Sequence, residues 1–247
     1  MSEGEEYVGI SRGAAIARID GIIQKCDLTT QQNTAMTAEN LTSPAQNIQL
    51  SGISWQTYET LLAEYIDRPL RLKYNGGNLE ILEPSPEHQF YKTIIARFVE
   101  TLAEEFGLNI AAVGSTTFKR PELSSAEPNE CFYIQNFSAI KGIKRIDTNQ
   151  SPPPDLVVEL DLTSCSENSL QVYADVGVPE VWIYNGERLI INILENRAYV
   201  LCDRSLAFPT VHILEIVGFL QQAETMDYLE LVQAFRNWVK NQILPTD

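Results

Sequence analysis

Three observations predict an α/β fold for this chain of 247 residues. Residues 156–162 are nearly all apolar, as expected for a β-strand that is covered on both faces. Residues 87–106 repeat apolar side chains at helical spacing and stop at Gly107, a residue type that commonly follows a helix end. Hydrophobic residues make up 44% of the chain, which is enough for a sizeable core. We therefore predict a sheet flanked by helices.

The first half of the predicted domain, residues 51–247, opens with a helix from about 54 to 66, since Ser54 can cap its first turn. A β-hairpin follows around the turn Asn75-Gly76-Gly77-Asn78, and then the helix 87–106 with Phe90 on its apolar face. Short segments rich in β-branched or aromatic residues predict strands at 71–74, 79–82, 109–113, 116–119 and 131–135.

The second half begins with the apolar strand 156–162. A helix from 167 to 176 should end at Gly177, and the chain should close with an amphipathic helix within about 220–243. Further strands are expected at 181–184, 189–194 and 197–201. The expected architecture is thus a sheet followed by a helical C-terminal tail.

The first fifty residues differ from the rest. Between Leu28 and Leu50 there is no aromatic residue and no Lys or Arg, while Thr, Gln, Asn and Ala are frequent. Such a stretch cannot build a core, so residues 1–50 are predicted to be a disordered extension. A partner-binding segment is the alternative interpretation.

The charge balance limits the possible partners. Lys and Arg number 18 and Asp and Glu 33, which gives a net charge of −15. This balance excludes non-specific coating of nucleic acid or of anionic membranes, because both require many cationic side chains. Any contact with nucleic acid has to be local.

Cysteine spacing and the N-terminal sequence indicate the compartment. The four cysteines lie more than thirty residues apart, so neighbours in sequence cannot form a CxxC metal or redox motif. We expect reduced thiols. The acidic N-terminus is unlike a secretory signal, and no apolar run is long enough to span a membrane. These features favour a cytoplasmic protein without membrane contact.

Two acidic residues stand in the apolar strand. An ionised carboxylate there costs several kcal/mol unless it is paired or coordinated. Glu159 and Asp161 are two residues apart and should therefore project from the same face of the strand, where they repel each other unless a cation lies beside them. A divalent ion such as Mg²⁺ is one solution. Pairing with arginine, or capping of a neighbouring turn, is the other.

The blocks around this strand carry a family resemblance. Residues 153–164 with 173–182 closely resemble the Uma-type restriction endonuclease family, which is abundant in cyanobacteria and belongs to the PD-(D/E)xK nuclease superfamily. Further matching blocks, in the same order, are residues 77–81, 84–88, 114–118, 127–134 and 208–209. The resemblance extends over about residues 51–240 and implies a restriction-endonuclease-like mixed sheet flanked by helices.

The resemblance also implies a function, namely metal-dependent hydrolysis of phosphodiester bonds in DNA. In this superfamily an Asp on one strand and a Glu on the next hold Mg²⁺ or Mn²⁺, which generates hydroxide and neutralises the phosphate. A lysine beside them stabilises the developing negative charge. Glu159 matches the family's Glu.

Two positions depart from the family pattern. Asn129 stands where the family has the metal-binding Asp, and Ser169 stands where relatives carry the basic residue of the following helix. Residues 166–176 contain no Lys or Arg. Metal affinity and catalysis should both be weakened, and a pseudoenzyme that keeps the scaffold for interaction or regulation is the alternative.

Neighbouring residues can be considered as substitutes. Asp161 can serve as a second metal ligand beside Glu159 and Asn129, whereas Glu130 should project from the opposite face of its strand. Glu87 and His88 open the long helix, where a superfamily helix often contributes an acidic group. A capping or hydrogen-bonding role is the alternative for His88.

Two partners are expected. A local basic rim would bind DNA, unless these residues are separately solvated charges: Arg68, Arg71, Lys73, Lys119, Arg120, Lys141, Lys144 and Arg145. A homodimer is the second, because related nucleases that cut both strands of DNA usually need two active sites. A purely structural domain, in which Glu159 and Asp161 form salt bridges, is the remaining alternative.

Overall fold

A computed structural model describes residues 46–65, 68, 70–114, 116–144, 146–147, 150–162 and 167–243, with only the backbone at 46, 167–169 and 243. The chain divides into two compact units. One comprises the described residues up to Pro86 together with Pro121–Ser124, and the other comprises Glu87–Arg120 and the residues from Ser125 onward. Both units contain strands and helices, so the predicted α/β class is confirmed.

The first unit contains one helix and three antiparallel strands. Its strands are β1 (Gln46–Leu50), β2 (Arg71–Asn75) and β3 (Asn78–Glu83), with β3 in the middle. The predicted hairpin is confirmed, and its turn residues Gly76 and Gly77 both have positive φ, which glycine adopts without steric cost. The predicted helix is also confirmed as α1 (Trp55–Glu64).

Helix α1 begins as its sequence suggests. The Ser54 hydroxyl accepts a hydrogen bond from the backbone N–H of Thr57 at 3.1 Å, which satisfies one of the free amides of the first turn. Tyr58 and Leu61 are fully buried and join Leu72, Leu79 and Ile81 of the sheet in one apolar cluster. Alternating strand residues thus face the helix.

The second unit is built on a six-stranded sheet. Its strand order is β11-β10-β9-β8-β7-β4, and all neighbours are antiparallel except β8 and β9. The strands are β4 (Ala111–Ala112), β7 (Glu130–Tyr133), β8 (Leu156–Leu160), β9 (Glu180–Tyr184), β10 (Leu189–Glu195) and β11 (Ala198–Cys202). Two further short strands are β5 (Phe118–Arg120) and β6 (Ser124–Ala126).

Helices cover this sheet. The long helix is α2 (Pro86–Glu105), and α3 (Phe137–Ile140) is a single turn. The parallel strands β8 and β9 are joined by α4 (Glu167–Val176), as a parallel connection requires. The C-terminal helices are α5 (Ile216–Gln222), which follows a 3₁₀ turn at Ile213–Glu215, and α6 (Tyr228–Ile243).

Strand β8 is buried on both faces, as its apolar sequence predicts. Leu156, Val158 and Leu160 pack with α2 and α6 in the larger core, whereas Val157 packs with Val172 of α4 in a second cluster. This alternation assigns α2 to one face of the sheet and α4 to the other.

Three expectations differ from the structure. Residues 46–50, assigned to the extension, form β1, because Ile48 and Leu50 alternate with polar residues and pack on the first unit's core; residues 1–45 lie outside the described part. Phe90 is 43% exposed, because the buried face of α2 runs through Tyr91, Ile94 and Phe98 instead. The strand predicted over 156–162 ends at Leu160. The amphipathic helix predicted within about 220–243 is confirmed as α6.

The packing of α2 on α6 gives a stability prediction. Phe98 is fully buried and its ring stacks on Phe235 with a centroid distance of 4.0 Å. We expect Phe98→Ala to lower the free energy of unfolding by about 3–5 kcal/mol, since it leaves a cavity between the helices. Phe90→Ala on the same helix should cost less than about 1 kcal/mol. Urea unfolding measures both, and equal losses would contradict this packing.

Candidate active site

Antiparallel pairing of β7 and β8 brings the two principal candidates together. Glu130 lies opposite Val158 and Cys131 lies opposite Val157. Extended by one residue, the same register places Asn129 opposite Glu159. Directly opposed residues project from the same face, so both side chains belong to the face that carries α4.

Glu159 is enclosed by its surroundings. Its side chain is only 5% exposed, and one carboxylate oxygen accepts a hydrogen bond from the Tyr173 hydroxyl of α4. Tyr173 is itself fully buried, because α4 packs its apolar face against β8. The helix therefore supplies a neutral donor to the carboxylate.

Asn129 is more deeply buried, at 2% exposure. Its side-chain oxygen Oδ1 accepts a hydrogen bond from the backbone N–H of Leu160 at 3.0 Å. Its amide nitrogen Nδ2 is buried and has no hydrogen-bond partner. The oxygen that would have to bind a metal already accepts one hydrogen bond and carries no charge, and the remaining polar atom is a donor, which cannot ligate a cation.

Asp161 follows the last residue of β8. Its backbone N–H donates to the Tyr184 carbonyl at 2.8 Å, and its side chain is half-buried. Asp161 is thus one residue away in the chain from the Leu160 amide that Asn129 binds. A role of Asp161 as a metal ligand stays a prediction.

Glu130 contacts the other layer of the structure. The Lys92 ammonium on α2 lies 3.6 Å from its Oε2, while its Oε1 is buried without a hydrogen-bond partner. Because α2 covers the face opposite α4, this pair supports the expectation that Glu130 projects away from Glu159. Sequence reasoning missed Lys92, although its position one helical turn after His88 was a usable signal.

The pKa of the Cys131 thiol depends on its burial and on the charges around this part of the sheet. Burial raises its pKa most, the negative charges of Glu130 and Glu159 raise it further, and Lys92 acts in the opposite direction. A thiol in this environment stays protonated, so Cys131 is a packing residue rather than a nucleophile.

Glu87 belongs to a different group of side chains. It is exposed in the first turn of α2, and its charge adds to the burial that raises the pKa of Tyr91 and of Tyr184. The Tyr91 hydroxyl donates to Glu224 at 2.8 Å. Tyr184 lies in the core on the α2 face, whereas Glu159 faces α4. These contacts do not bring Glu87 to Glu159.

His88 is buried on α2, with 2% of its surface exposed. The same helix contributes Tyr91, Ile94 and Phe98 to the larger core. A catalytic role for Glu87 or His88 stays a prediction.

The fit to a metal can be judged from these donors. Across the described segments, no group of three or more His, Cys, Asp or Glu side chains is arranged to hold a metal ion. Asn129 contributes no charge, and the Ser169 side chain lies outside the described residues. The donors that are present therefore do not form the Asp–Glu ligand set expected for Mg²⁺.

The expected basic rim is reduced. Arg71 is only 6% exposed and thus cannot face a nucleic acid, and Arg120 lies 3.7 Å from Asp175. Lys141 and Lys144 are exposed, and Arg145 lies outside the described residues. Arg68, Arg71 and Lys73 belong to the first unit and the others to the second.

The motif Pro154-Asp155 has a structural role. Asp155 is buried, and its Oδ2 accepts hydrogen bonds from the backbone N–H groups of Ile134 at 2.6 Å and Asn136 at 2.9 Å. Its Oδ1 accepts from the Asn136 side chain at 2.8 Å. The carboxylate thereby fixes the turn that follows β7.

The fold and the sequence together define the class of protein and its family. A mixed α/β fold with an acidic residue at the end of a central strand is the arrangement of restriction-endonuclease-like proteins. Residues 55–224 match the model of the family Uma2, described as "Putative restriction endonuclease". The chain belongs to this family.

No curated protein matches the chain. Among solved structures, a putative nuclease of DUF820 from Anabaena variabilis is similar, with a TM-score of 0.44 and 13% identity. The match covers 72% of this chain and 98% of that chain. In the described part of the chain, no helix is long and apolar enough to cross a membrane.

The role of Asp155 can be tested by substitution. Asp155→Ala leaves the buried N–H groups of Ile134 and Asn136 without an acceptor, so we expect a loss of about 2–5 kcal/mol in the free energy of unfolding. Asp155→Asn keeps one acceptor and should lose less. Chemical denaturation provides the measurement, and an unchanged midpoint in Asp155→Ala would contradict the structural role.

Proposed function

We propose that this chain derives from metal-dependent DNA endonucleases and keeps their fold, with phosphodiester hydrolysis weakened or lost. The observation that carries the proposal is the environment of Asn129. Its Oδ1 is bound to the Leu160 amide, and its Nδ2 is a buried, unpartnered donor next to the strand that bears Glu159.

Charge supports the proposal. A carboxylate at position 129 would add a second negative charge opposite Glu159, and two such charges would favour a divalent cation between them. Asn129 removes that charge, and the Glu159 carboxylate accepts a hydrogen bond from the Tyr173 hydroxyl. The electrostatic demand for Mg²⁺ or Mn²⁺ is therefore reduced.

The absence of a helix cation has the same effect. Ser169 stands in the first turn of α4, where relatives carry the basic group that stabilises developing negative charge. Lys92 does not replace it, because Lys92 is paired with Glu130 on the α2 side of the sheet. Loss of one such electrostatic group commonly lowers a rate about 10²- to 10³-fold.

A second function from another class is an interaction or regulatory module on the nuclease scaffold. The enclosure of Glu159 favours it, since a carboxylate that is 5% exposed and bonded to Tyr173 is poorly accessible to a phosphodiester. The net charge of −15 also leaves DNA contact to a few exposed cations such as Lys141 and Lys144.

A cleavage assay tests the proposal. The purified chain is incubated with supercoiled and single-stranded DNA in Mg²⁺ or Mn²⁺, and nicking is followed on gels. We expect cleavage near background for the wild type and a gain on the order of 10²-fold in Asn129→Asp with Ser169→Lys, since this pair restores both charges.

The control is the same double variant with Glu159→Ala, in which the gained cleavage should disappear. Efficient cleavage by the wild type that Glu159→Ala abolishes would contradict a weakened site. Retained binding of DNA without cleavage, even in the double variant, would favour the interaction module.

Metal binding can be measured separately from cleavage. We expect Asn129→Asp to lower the melting temperature without metal, since it places a second carboxylate opposite Glu159. Mn²⁺ should raise the melting temperature of this variant more than that of the wild type, because an ion that binds only the folded state stabilises it. An equally large Mn²⁺ effect in the wild type, lost in Glu159→Ala, would show that the native site binds metal.

A further inference from the structure

Strand β11 forms one edge of the six-stranded sheet. Within the described segments, β10 is its only strand partner. Its residues are largely exposed: Leu201 at 77% and Val200 at 39%, with the Cys202 thiol also at the surface. Proteins usually protect such an edge, because its free backbone groups can pair with another strand.

The turn before β11 determines which backbone groups are free. Asn196 and Arg197 have φ angles of 49° and 69°, as in a two-residue type I′ hairpin turn, so Glu195 and Ala198 form a hydrogen-bonded pair. Hydrogen-bonded residues alternate along an antiparallel strand. Tyr199 and Leu201 therefore direct their N–H and C=O groups outward.

The charges beside this edge are self-complementary. Arg197 precedes the strand and Asp203 follows it, at equal distances from Val200. In an antiparallel pair of two identical strands centred on Val200, each Arg197 would lie opposite the other copy's Asp203. A shift of the register by two residues in one direction would place Arg197 opposite Leu201 of the other copy, and a shift in the other direction would place it past Asp203. Only the centred register places the opposite charges side by side.

We propose that β11 pairs antiparallel with β11 of a second copy of this chain, with the two Val200 residues facing each other on the two-fold axis. This isologous contact extends the sheet across the dimer. Tyr199 and Leu201 exchange backbone hydrogen bonds between the copies. The exposed Leu201 side chain then packs beside Tyr199, whose hydroxyl is anchored on the Val178 carbonyl at 2.7 Å.

The proposal gives the expected homodimer a defined interface and does not depend on cleavage activity. The residues concerned lie far from Glu159 in the strand order, since β9 and β10 separate β11 from β8. Loss of the dimer would therefore leave the conclusions on Asn129 unaffected, and failure of the cleavage assay would leave the interface unaffected.

A charge swap tests the pairing. Sedimentation equilibrium of the full chain should give twice the chain mass of 27.8 kDa. We expect Arg197→Asp and Asp203→Arg, singly, to raise the dimer dissociation constant at least about tenfold, because each places two like charges together. The double variant should restore the wild-type constant. Arg204→Asp makes the same charge change outside the paired positions and should have little effect.

A disulfide tests the register. In the background Cys202→Ser, Val200→Cys places two thiols at a non-hydrogen-bonded position across the axis, where Cβ atoms approach closely enough for a disulfide. We expect a disulfide-linked dimer under mild oxidation. Leu206→Cys in the same background is the control, since Leu206 is exposed at 51% outside the strand and should remain largely monomeric on a non-reducing gel.

Three results would overturn the proposal. A wild-type chain that sediments as a monomer has no such interface. A dimer that is unaffected by either single charge reversal is formed elsewhere. Equal cross-linking of the Val200→Cys and Leu206→Cys variants shows that the contact is not register-specific.

Discussion

The register between β7 and β8 is the constraint on which the candidate site depends. Because Glu130 opposes Val158, Asn129 must oppose Glu159 on the α4 face of the sheet. Glu130, the next residue, then projects from the α2 face. The bond from the Leu160 amide to the Asn129 oxygen continues this pairing past the end of β7. A one-residue slip would exchange Asn129 for Glu130 and move a charged side chain into the apolar contact with α4.

The acidic side chains on the two faces of the sheet have different partners. On the α2 side, Glu130 is balanced by the Lys92 ammonium at 3.6 Å. On the α4 side, Glu159 has the Tyr173 hydroxyl, and the facing residue is a neutral amide. Two carboxylates at these facing positions would repel each other unless a cation lay beside them, whereas a carboxylate that faces a neutral amide has no such repulsion. The site is thus compatible with a stable fold in the absence of metal.

Other buried acidic side chains of the second unit also accept hydrogen bonds from neighbouring groups. Asp155 satisfies three donors in the turn after β7, and Glu180 accepts from the Trp182 indole and from the amides of Leu206 and Ala207. Burial still raises the pKa of Glu180, although these hydrogen bonds act against it. Both carboxylates hold loops against the sheet, which explains acidic residues in apolar surroundings without assigning them to chemistry.

Much of the fold could be predicted because it follows from local patterns. The apolar repeat of α2, the glycine turn of the first hairpin and the apolar run of β8 each have a period or composition that permits one interpretation. Strand β1 was missed because five alternating residues within a polar stretch become a strand only by pairing with β3.

The sequence by itself determined the α/β class, the family and the two substitutions, Asn129 and Ser169, since these are properties of residue identity and order. Only the tertiary structure decided that the Asn129 oxygen accepts a hydrogen bond from the Leu160 amide, that Lys92 lies beside Glu130, and that Arg197 and Asp203 flank the edge strand of the described sheet. These facts depend on contacts between segments far apart in the chain. Local propensity carries no information about such contacts, because strand pairing and helix packing are fixed by the burial of the whole core.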